Sequence, residues 1–89
     1  MNMYQENVII QNESGLHARP AALLVKEAGN FSSEIQLVKN GKEANAKSLL
    51  GLMSLSIQKG DEITLKAEGE DAEKAVTTLR QLIESGFNE

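Results

Sequence analysis

The sequence predicts an α+β fold, with one four-stranded antiparallel sheet that carries three helices on one face. Apolar and polar residues alternate around Leu65, as in a half-buried strand, whereas apolar residues recur at helical spacing in residues 72–83. Strand-like and helix-like segments follow one another in the order β-α-β-β-α-β-α. Asn40 and Gly41 form a dipeptide typical of a tight hairpin, so the strands on either side are antiparallel neighbours. Helices packed on one face of such a sheet define the class.

The first half of the chain is predicted to contain a strand, a loop and a helix. Residues 4–11 form the strand because a β-branched run occupies residues 8–10. Residues 12–15 have the composition of a loop. Apolar positions in residues 18–28 have helical spacing. Gly29 is predicted to end this helix, because glycine readily adopts the left-handed conformation found at many helix ends.

The second half is predicted to complete the sheet and add two helices. Residues 35–38 and 42–46 are the two strands of the hairpin, and the weak apolar content of the second indicates an edge strand. Ser48 opens a short helix whose apolar residues point in all directions, so some of them must be exposed. Residues 63–67 form the last strand, and residues 72–83 form the last helix.

Composition limits the kind of protein this is. The 89 residues have the size of one domain, here residues 1–89. A net charge of −4 and only three aromatic residues argue against nucleic-acid binding. The chain has no cysteine and one histidine, so we expect no metal site and no cofactor. The apolar runs are too short for membrane insertion, and we expect a soluble cytoplasmic protein.

His17 is the strongest candidate for chemistry because it stands where the first helix is predicted to begin. The first backbone N–H groups of a helix have no partner within it, and the helix dipole makes that end partly positive. A phosphoryl group on the imidazole would accept hydrogen bonds from these N–H groups and from Arg19. Gly15 permits a close backbone approach, whereas Pro20 disfavours a helical Arg19, so we expect an irregular first turn. An ordinary loop histidine is the alternative interpretation.

Ser48 is the second candidate, although its structural role is enough to explain it. Serine just before an apolar helix is a preferred N-cap residue. A phosphate on it would be compatible with the helix end, and its effect would be felt by a partner docking on the adjacent Leu49, Leu50 and Met53. The spacing of these three apolar residues is equally consistent with core positions.

Two motifs resemble one family. Residues 15–21, Gly-Leu-His-Ala-Arg-Pro-Ala, closely resemble the phosphorylation site of HPr, the histidine-containing phosphocarrier of the sugar phosphotransferase system. Residues 46–55, Ala-Lys-Ser-Leu-Leu-Gly-Leu-Met-Ser-Leu, resemble the regulatory serine site of the Gram-positive type. The resemblance covers nearly the whole chain and implies an open-faced β-sandwich, in which three helices cover one side of four antiparallel strands.

The resemblance also implies roles and partners. His17 would take a phosphoryl group on Nδ1 from phospho-enzyme I, which is charged by phosphoenolpyruvate, and pass it to a sugar-specific enzyme IIA, while Arg19 helps to hold it. Ser48 would be phosphorylated with ATP by HPr kinase/phosphorylase, and the product would bind a catabolite-repression transcription factor. The family's docking surface matches Ala22, Leu49, Leu50 and Met53. The protein would be a substrate of other enzymes and not itself an enzyme.

The sequence departs from the family's pattern in two places, and two rival functions are consistent with it. The N-terminus is slightly longer than in the family, and Leu49-Leu50 follow the serine where many relatives have isoleucine and methionine. Some regulatory paralogues lack the active histidine, which this chain retains. The rivals are a purely regulatory module that acts through Ser48 and a small ligand-binding regulatory domain of similar layout.

Overall fold

The computed structural model describes residues 2–88 and has the predicted order of elements. Its strands are β1 (Met3–Ile9), β2 (Glu34–Lys39), β3 (Lys42–Asn45) and β4 (Glu62–Glu68). Its helices are α1 (Ala18–Ala28), α2 (Leu49–Met53) and α3 (Ala72–Glu84), followed by a short 3-10 turn at Gly86–Asn88. The strands lie side by side in the order β1-β4-β2-β3, and every neighbouring pair is antiparallel. The predicted fold class is therefore confirmed.

One face of the sheet is buried and the other is open. Ile63, Leu65 and Ala67 of β4 are buried, while Thr64 and Lys66 between them are half-buried. The register places Leu65 beside Leu37 of β2, which is also fully buried. This alternation is typical of an antiparallel sheet with one solvated face. The helices cover the buried face, with α3 packed on β1 and β4 and α1 packed on α2 and α3.

The hairpin and the apolar faces of the long helices agree with the sequence. Asn40 and Gly41 both have positive φ angles, of 51° and 82°, as their turn requires. Helix α1 buries one stripe of residues, and α3 does the same. The buried residues are Pro20, Ala21, Leu24 and Ala28 in α1, and Ala72, Ala75, Val76, Leu79 and Ile83 in α3.

Some local predictions were wrong in detail. The first strand covers Met3–Ile9 instead of residues 4–11, because Ile10 already bonds to the turn before β4 through its N–H and Asp61 O, 2.9 Å apart. The hairpin's return strand ends at Asn45, one residue early. Gly29 does end α1, but in a right-handed conformation with φ −65°. Its N–H still makes the helical bond to Val25 O at 3.0 Å. The next two N–H groups, of Asn30 and Phe31, donate to carbonyls only three residues back, so the chain tightens into turns without a left-handed residue there.

A carboxylate that the sequence did not single out connects two distant segments. Asp71, just before α3, accepts hydrogen bonds from the N–H groups of Ser32 (2.9 Å) and Ser33 (3.0 Å) and from the Ser33 hydroxyl. Gly69 makes this approach possible, since a Cβ there would lie 2.8 Å from Ser33 Cα. The Asp71 carboxylate thus fixes the loop after α1 to the start of α3. The hydrogen bond from the Ser33 hydroxyl is the main reason that the pKa of Asp71 falls to about 2.

The contribution of Asp71 to stability should depend on pH. Its pKa is about 2 in the folded state against an ordinary value of 3.8. The stabilising interaction is therefore complete above pH 3.8 and is lost as the pH falls through about 2. We expect Asp71→Asn to lower the melting temperature at pH 7, and the difference from wild type to shrink as the pH approaches 2. Thermal unfolding followed by circular dichroism checks this, and a constant difference across that range would contradict it.

Candidate functional site

His17 is the N-cap residue of α1 and its side chain is exposed to solvent. Its backbone is extended, with φ −78° and ψ −171°, and its imidazole makes no capping hydrogen bond. The Ala21 N–H donates to His17 O at 2.8 Å, which closes the first turn regularly. The predicted position at the helix start is confirmed, but the expected irregular first turn is wrong. Pro20 fits because a first-turn residue needs no N–H partner within the helix.

Gly15 and Leu16 hold the approach to His17 against the connection between α2 and β4. The Leu16 N–H donates to Ile57 O at 3.0 Å. Gly15 has φ +62°, and a Cβ there would lie 2.6 Å from Ile57 O and 2.8 Å from Gln58 Cα. Only glycine permits such a close approach of two backbones in this conformation. The close approach that the sequence predicted for Gly15 is therefore present, and it determines where α1 begins.

The turn before Gly15 is shaped by a buried amide that the sequence did not single out. Asn12 Nδ2 donates to Gly15 O at 2.7 Å and to Ser14 Oγ at 3.1 Å. The Gly15 N–H in turn donates to Asn12 O at 3.1 Å. Asn12 Oδ1 is buried and accepts no hydrogen bond from residues 2–88. The sequence did not predict that Asn12 is buried, because a polar residue in a loop is usually exposed and its burial depends on contacts formed in the folded chain.

Arg19 lies on the first turn of α1 with its side chain exposed, whereas the following Pro20 and Ala21 are buried. Within residues 2–88 its guanidinium forms no hydrogen bond or ion pair, so it is available to an anion at the helix start. Arginine suits this task because its planar group binds phosphate through more than one N–H.

Ser48 is the N-cap residue of α2, as the sequence predicted for its structural role. Its Oγ accepts a hydrogen bond from the Gly51 N–H at 3.1 Å, and the residue is half-buried. Helix α2 packs against α1, so the two candidate phosphorylation sites lie at the N-termini of two contacting helices.

Most of the large apolar residues of α2 face solvent. Leu52 is fully buried, whereas 82% of Leu50 and 40% each of Leu49 and Met53 are exposed. Ala22, on the neighbouring α1, is also exposed. An exposed cluster of large apolar side chains in a small protein is typical of an interaction surface. The three residues whose spacing was equally consistent with core positions, Leu49, Leu50 and Met53, are therefore all exposed.

Glu13 and Lys59 form an ion pair between the two segments that meet at Gly15. Glu13 accepts a hydrogen bond from Lys59 at 2.6 Å, and this bond and the lysine charge lower the pKa of Glu13. Among residues 2–88, no three His, Cys, Asp or Glu side chains are close enough together to bind a metal ion. No helix in that range is long and apolar enough to cross a membrane. The chemical capacity of the site is therefore that of an exposed imidazole at a helix start, with a free guanidinium nearby.

Comparisons with known proteins agree on one family. The family model for the PTS HPr component phosphorylation site matches residues 4–85. The chain is 48% identical over 82 residues to the HPr-like protein Crh of Bacillus subtilis, covering 92% of this chain and 96% of that protein. It is 44% identical over 79 residues to the phosphocarrier protein HPr of Mycoplasma capricolum, covering 89% of each.

A solved structure of a relative has the same fold. The crystal structure of HPr-C-His from Thermoanaerobacter tengcongensis superposes with a TM-score of 0.94 and 49% identity, covering 97% of each chain. Sequence, fold and the position of the histidine at a helix start therefore agree, and the chain belongs to the HPr family.

Proposed function

We propose that this protein is a cytoplasmic phosphocarrier of phosphoenolpyruvate-dependent sugar uptake. It accepts a phosphoryl group on His17 from phospho-enzyme I and transfers it to a sugar-specific enzyme IIA. The observation that carries the proposal is the exposed His17 side chain at the N-cap of α1, with no capping hydrogen bond to occupy it. Two different proteins must reach the same ring nitrogen, and an exposed imidazole is accessible to both.

The transfer requires little of the carrier itself. The lone pair of His17 Nδ1 attacks the phosphorus, and the bond between phosphorus and its donor on enzyme I breaks, with its electron pair leaving on the donor. Neutral imidazole is a competent nucleophile near pH 7. The second transfer repeats this exchange, with a group on enzyme IIA as the nucleophile and His17 as the leaving group. No cofactor is needed because the partners contribute the remaining catalytic groups.

The start of α1 supplies stabilisation for the phosphoryl group. The N–H groups of Ala18 and Arg19 lie in the first turn, where a helix offers them no carbonyl partner. The helix dipole adds partial positive charge at the same place. The Arg19 guanidinium carries a full charge and has no partner within residues 2–88. Together these groups favour the dianionic phosphoryl group.

Ser48 is proposed as the regulatory site, phosphorylated with ATP by HPr kinase/phosphorylase. Its Oγ would attack the γ-phosphorus, ADP would leave, and the hydroxyl proton would pass to a base on the kinase. The added charge lies beside the exposed side chains of Leu49, Leu50 and Met53. Together with Ala22, they form the proposed docking surface for enzyme I, the kinase and the catabolite-repression transcription factor. Phosphorylation would change which of these partners that surface accepts.

A second function has its own support. The chain is 48% identical to a protein named HPr-like protein Crh, and the solution structure of Crh is described as that of the Bacillus subtilis catabolite repression HPr. A regulatory protein that acts mainly through Ser48 is therefore the rival. The retained His17 favours the carrier function, because a purely regulatory role gives no reason for an exposed histidine at this position.

The first experiment follows phosphoryl transfer from labelled phosphoenolpyruvate through enzyme I. We expect acid-labile label on the wild-type chain and on Ser48→Ala, and none on His17→Ala, because the phosphorus–nitrogen bond forms only on the imidazole. Circular dichroism should show that His17→Ala is folded, since the imidazole makes no capping bond. An unlabelled wild-type chain beside an active, compatible enzyme I would refute the carrier function and favour the regulatory rival.

The kinase reaction tests Ser48 separately. With ATP and HPr kinase/phosphorylase we expect acid-stable label on wild type and on His17→Ala, and none on Ser48→Ala. Ser54→Ala serves as the matched control, because Ser54 is an exposed serine of the same segment whose hydroxyl donates to Gly51 O at 2.6 Å. Acid-stable label that persists in Ser48→Ala would show that the serine assignment is wrong.

Arg19 should affect the rate of transfer and leave stability almost unchanged. A hydrogen bond to a charged group contributes about 1.5–3 kcal/mol, so its loss should slow transfer from enzyme I by about 10–100-fold. We expect Arg19→Lys to recover part of that rate, since it keeps the charge but loses the planar geometry. Stopped-flow transfer rates and melting temperatures check both points. A melting temperature several degrees lower in Arg19→Ala, with an unchanged rate, would make Arg19 a structural residue.

A further inference from the structure

The segment of residues 56–61, which joins α2 to β4, supports the chain just before His17. Ile57 O accepts the hydrogen bond from the Leu16 N–H at 3.0 Å. Farther along, the Gly60 N–H donates to Ile10 O at 2.8 Å. This segment, called the supporting loop below, therefore contacts the chain before His17 at two points, Leu16 and Ile10. Its conformation decides where Leu16, and hence the start of α1, can lie.

The supporting loop does not hold its shape through its own backbone alone. Ser56 at its start has φ 53°, a left-handed conformation that is unfavourable for a residue with a Cβ. The Gln58 N–H donates to Asp61 Oδ2 at 2.8 Å, and the Asp61 N–H donates to Gln58 O at 3.0 Å. These bonds close the second half of the loop. The Ser56 N–H donates to Met53 O at 3.2 Å, at the end of α2, but neither bond of the second half reaches the Ser56 carbonyl.

Lys39 links the two halves of the supporting loop. It is the last residue of β2, and its Nζ donates to Ser56 O at 2.8 Å and forms an ion pair with Asp61 Oδ2 at 2.9 Å. Only 18% of the Lys39 side chain and 32% of the Asp61 side chain are exposed, so this pair is better shielded from solvent than an ordinary surface pair. The hydrogen bond from Lys39 lowers the pKa of Asp61.

We propose that Lys39 is a positioning residue for phosphoryl transfer at His17. Paired with Asp61, it fixes the supporting loop, and the loop fixes Leu16 through the bond between its N–H and Ile57 O. The Lys39 ammonium is committed to two contacts in the loop, so its effect on the phosphoryl group is indirect. The inference rests on the proposed carrier function of His17. It adds Lys39, at the end of β2, to the residues that support that function.

The hairpin provides a matched control. Lys42 is the direct cross-strand partner of Lys39, is exposed, and forms no hydrogen bond or ion pair within residues 2–88. Lys39→Met and Lys42→Met remove the same charge from the same turn, but only the first removes the link to the loop. Lys39→Arg keeps a donor at this position, and Asp61→Asn breaks the pair from the other side.

The experiment combines transfer kinetics from enzyme I with amide hydrogen exchange at Leu16. With this chain as the substrate of enzyme I, we expect Lys39→Met and Asp61→Asn to lower kcat about tenfold, with a smaller change in KM. The reason is that small misplacements of a reacting group slow a reaction strongly. The Leu16 amide should exchange faster in both variants. Lys42→Met should behave as wild type, and Lys39→Arg should recover part of the rate. Val76→Ala, a core variant in α3, controls for stability lost without a change in the loop.

The outcomes separate the two proposals. A wild-type chain that accepts phosphate, with Lys39→Met as fast as Lys42→Met, would overturn the role of Lys39 and leave the carrier function intact. A slower Lys39→Met with unchanged exchange at Leu16 would also overturn the positioning role. If Val76→Ala slows transfer as much as Lys39→Met, the effect is one of general stability and the proposal is wrong. A wild-type chain that accepts no phosphate refutes the carrier function and this role with it.

Discussion

The close contact between two connecting segments determines the geometry of the site. The Gly15–Leu16 backbone lies on the backbone of Ile57 and Gln58, with the Leu16 N–H bonded to Ile57 O at 3.0 Å and no room for a Cβ on Gly15. This contact ties the connection before α1 to the connection after α2. It fixes the point at which α1 begins, so it places His17. The same contact anchors the segment after α2, and α2 itself packs against α1.

Helix α1 is held at its two ends by different kinds of interaction. At its start, backbone hydrogen bonds and the absence of a side chain on Gly15 define the position. The helix is about 16 Å long. Beyond its other end, the Asp71 carboxylate holds the N–H groups of Ser32 and Ser33, which lie in the loop that follows the helix. The buried stripe between these ends packs into the core. A helix fixed in this way presents its first turn in one orientation, so the proposed phosphoryl acceptor needs no support from a pocket.

Local sequence signals predicted the parts of the structure that depend on local chemistry. Hydrophobic spacing along the chain was enough to predict the order of the elements. The Asn40-Gly41 dipeptide predicted the hairpin, and the position of Ser48 before an apolar segment predicted its role as an N-cap residue. The interactions that the sequence did not reveal join residues far apart in the chain. Asp71 bonds to Ser33, 38 residues away, and Lys39 bonds to Ser56, 17 residues away. An aspartate before a helix looks like a cap, and nothing local shows that its partner is a distant loop.

The two proposed phosphorylation sites occupy equivalent places but differ in how ready they are to react. Both are N-cap residues, of two helices that pack together. The His17 imidazole makes no capping bond, and a neutral imidazole is nucleophilic near pH 7, so a phosphorylated donor can use it directly. Ser48 Oγ is engaged with the Gly51 N–H at 3.1 Å and belongs to a weakly nucleophilic alcohol. Phosphorylation of Ser48 would therefore need an enzyme that supplies a base, so the two proposed modifications differ in what they require of a partner.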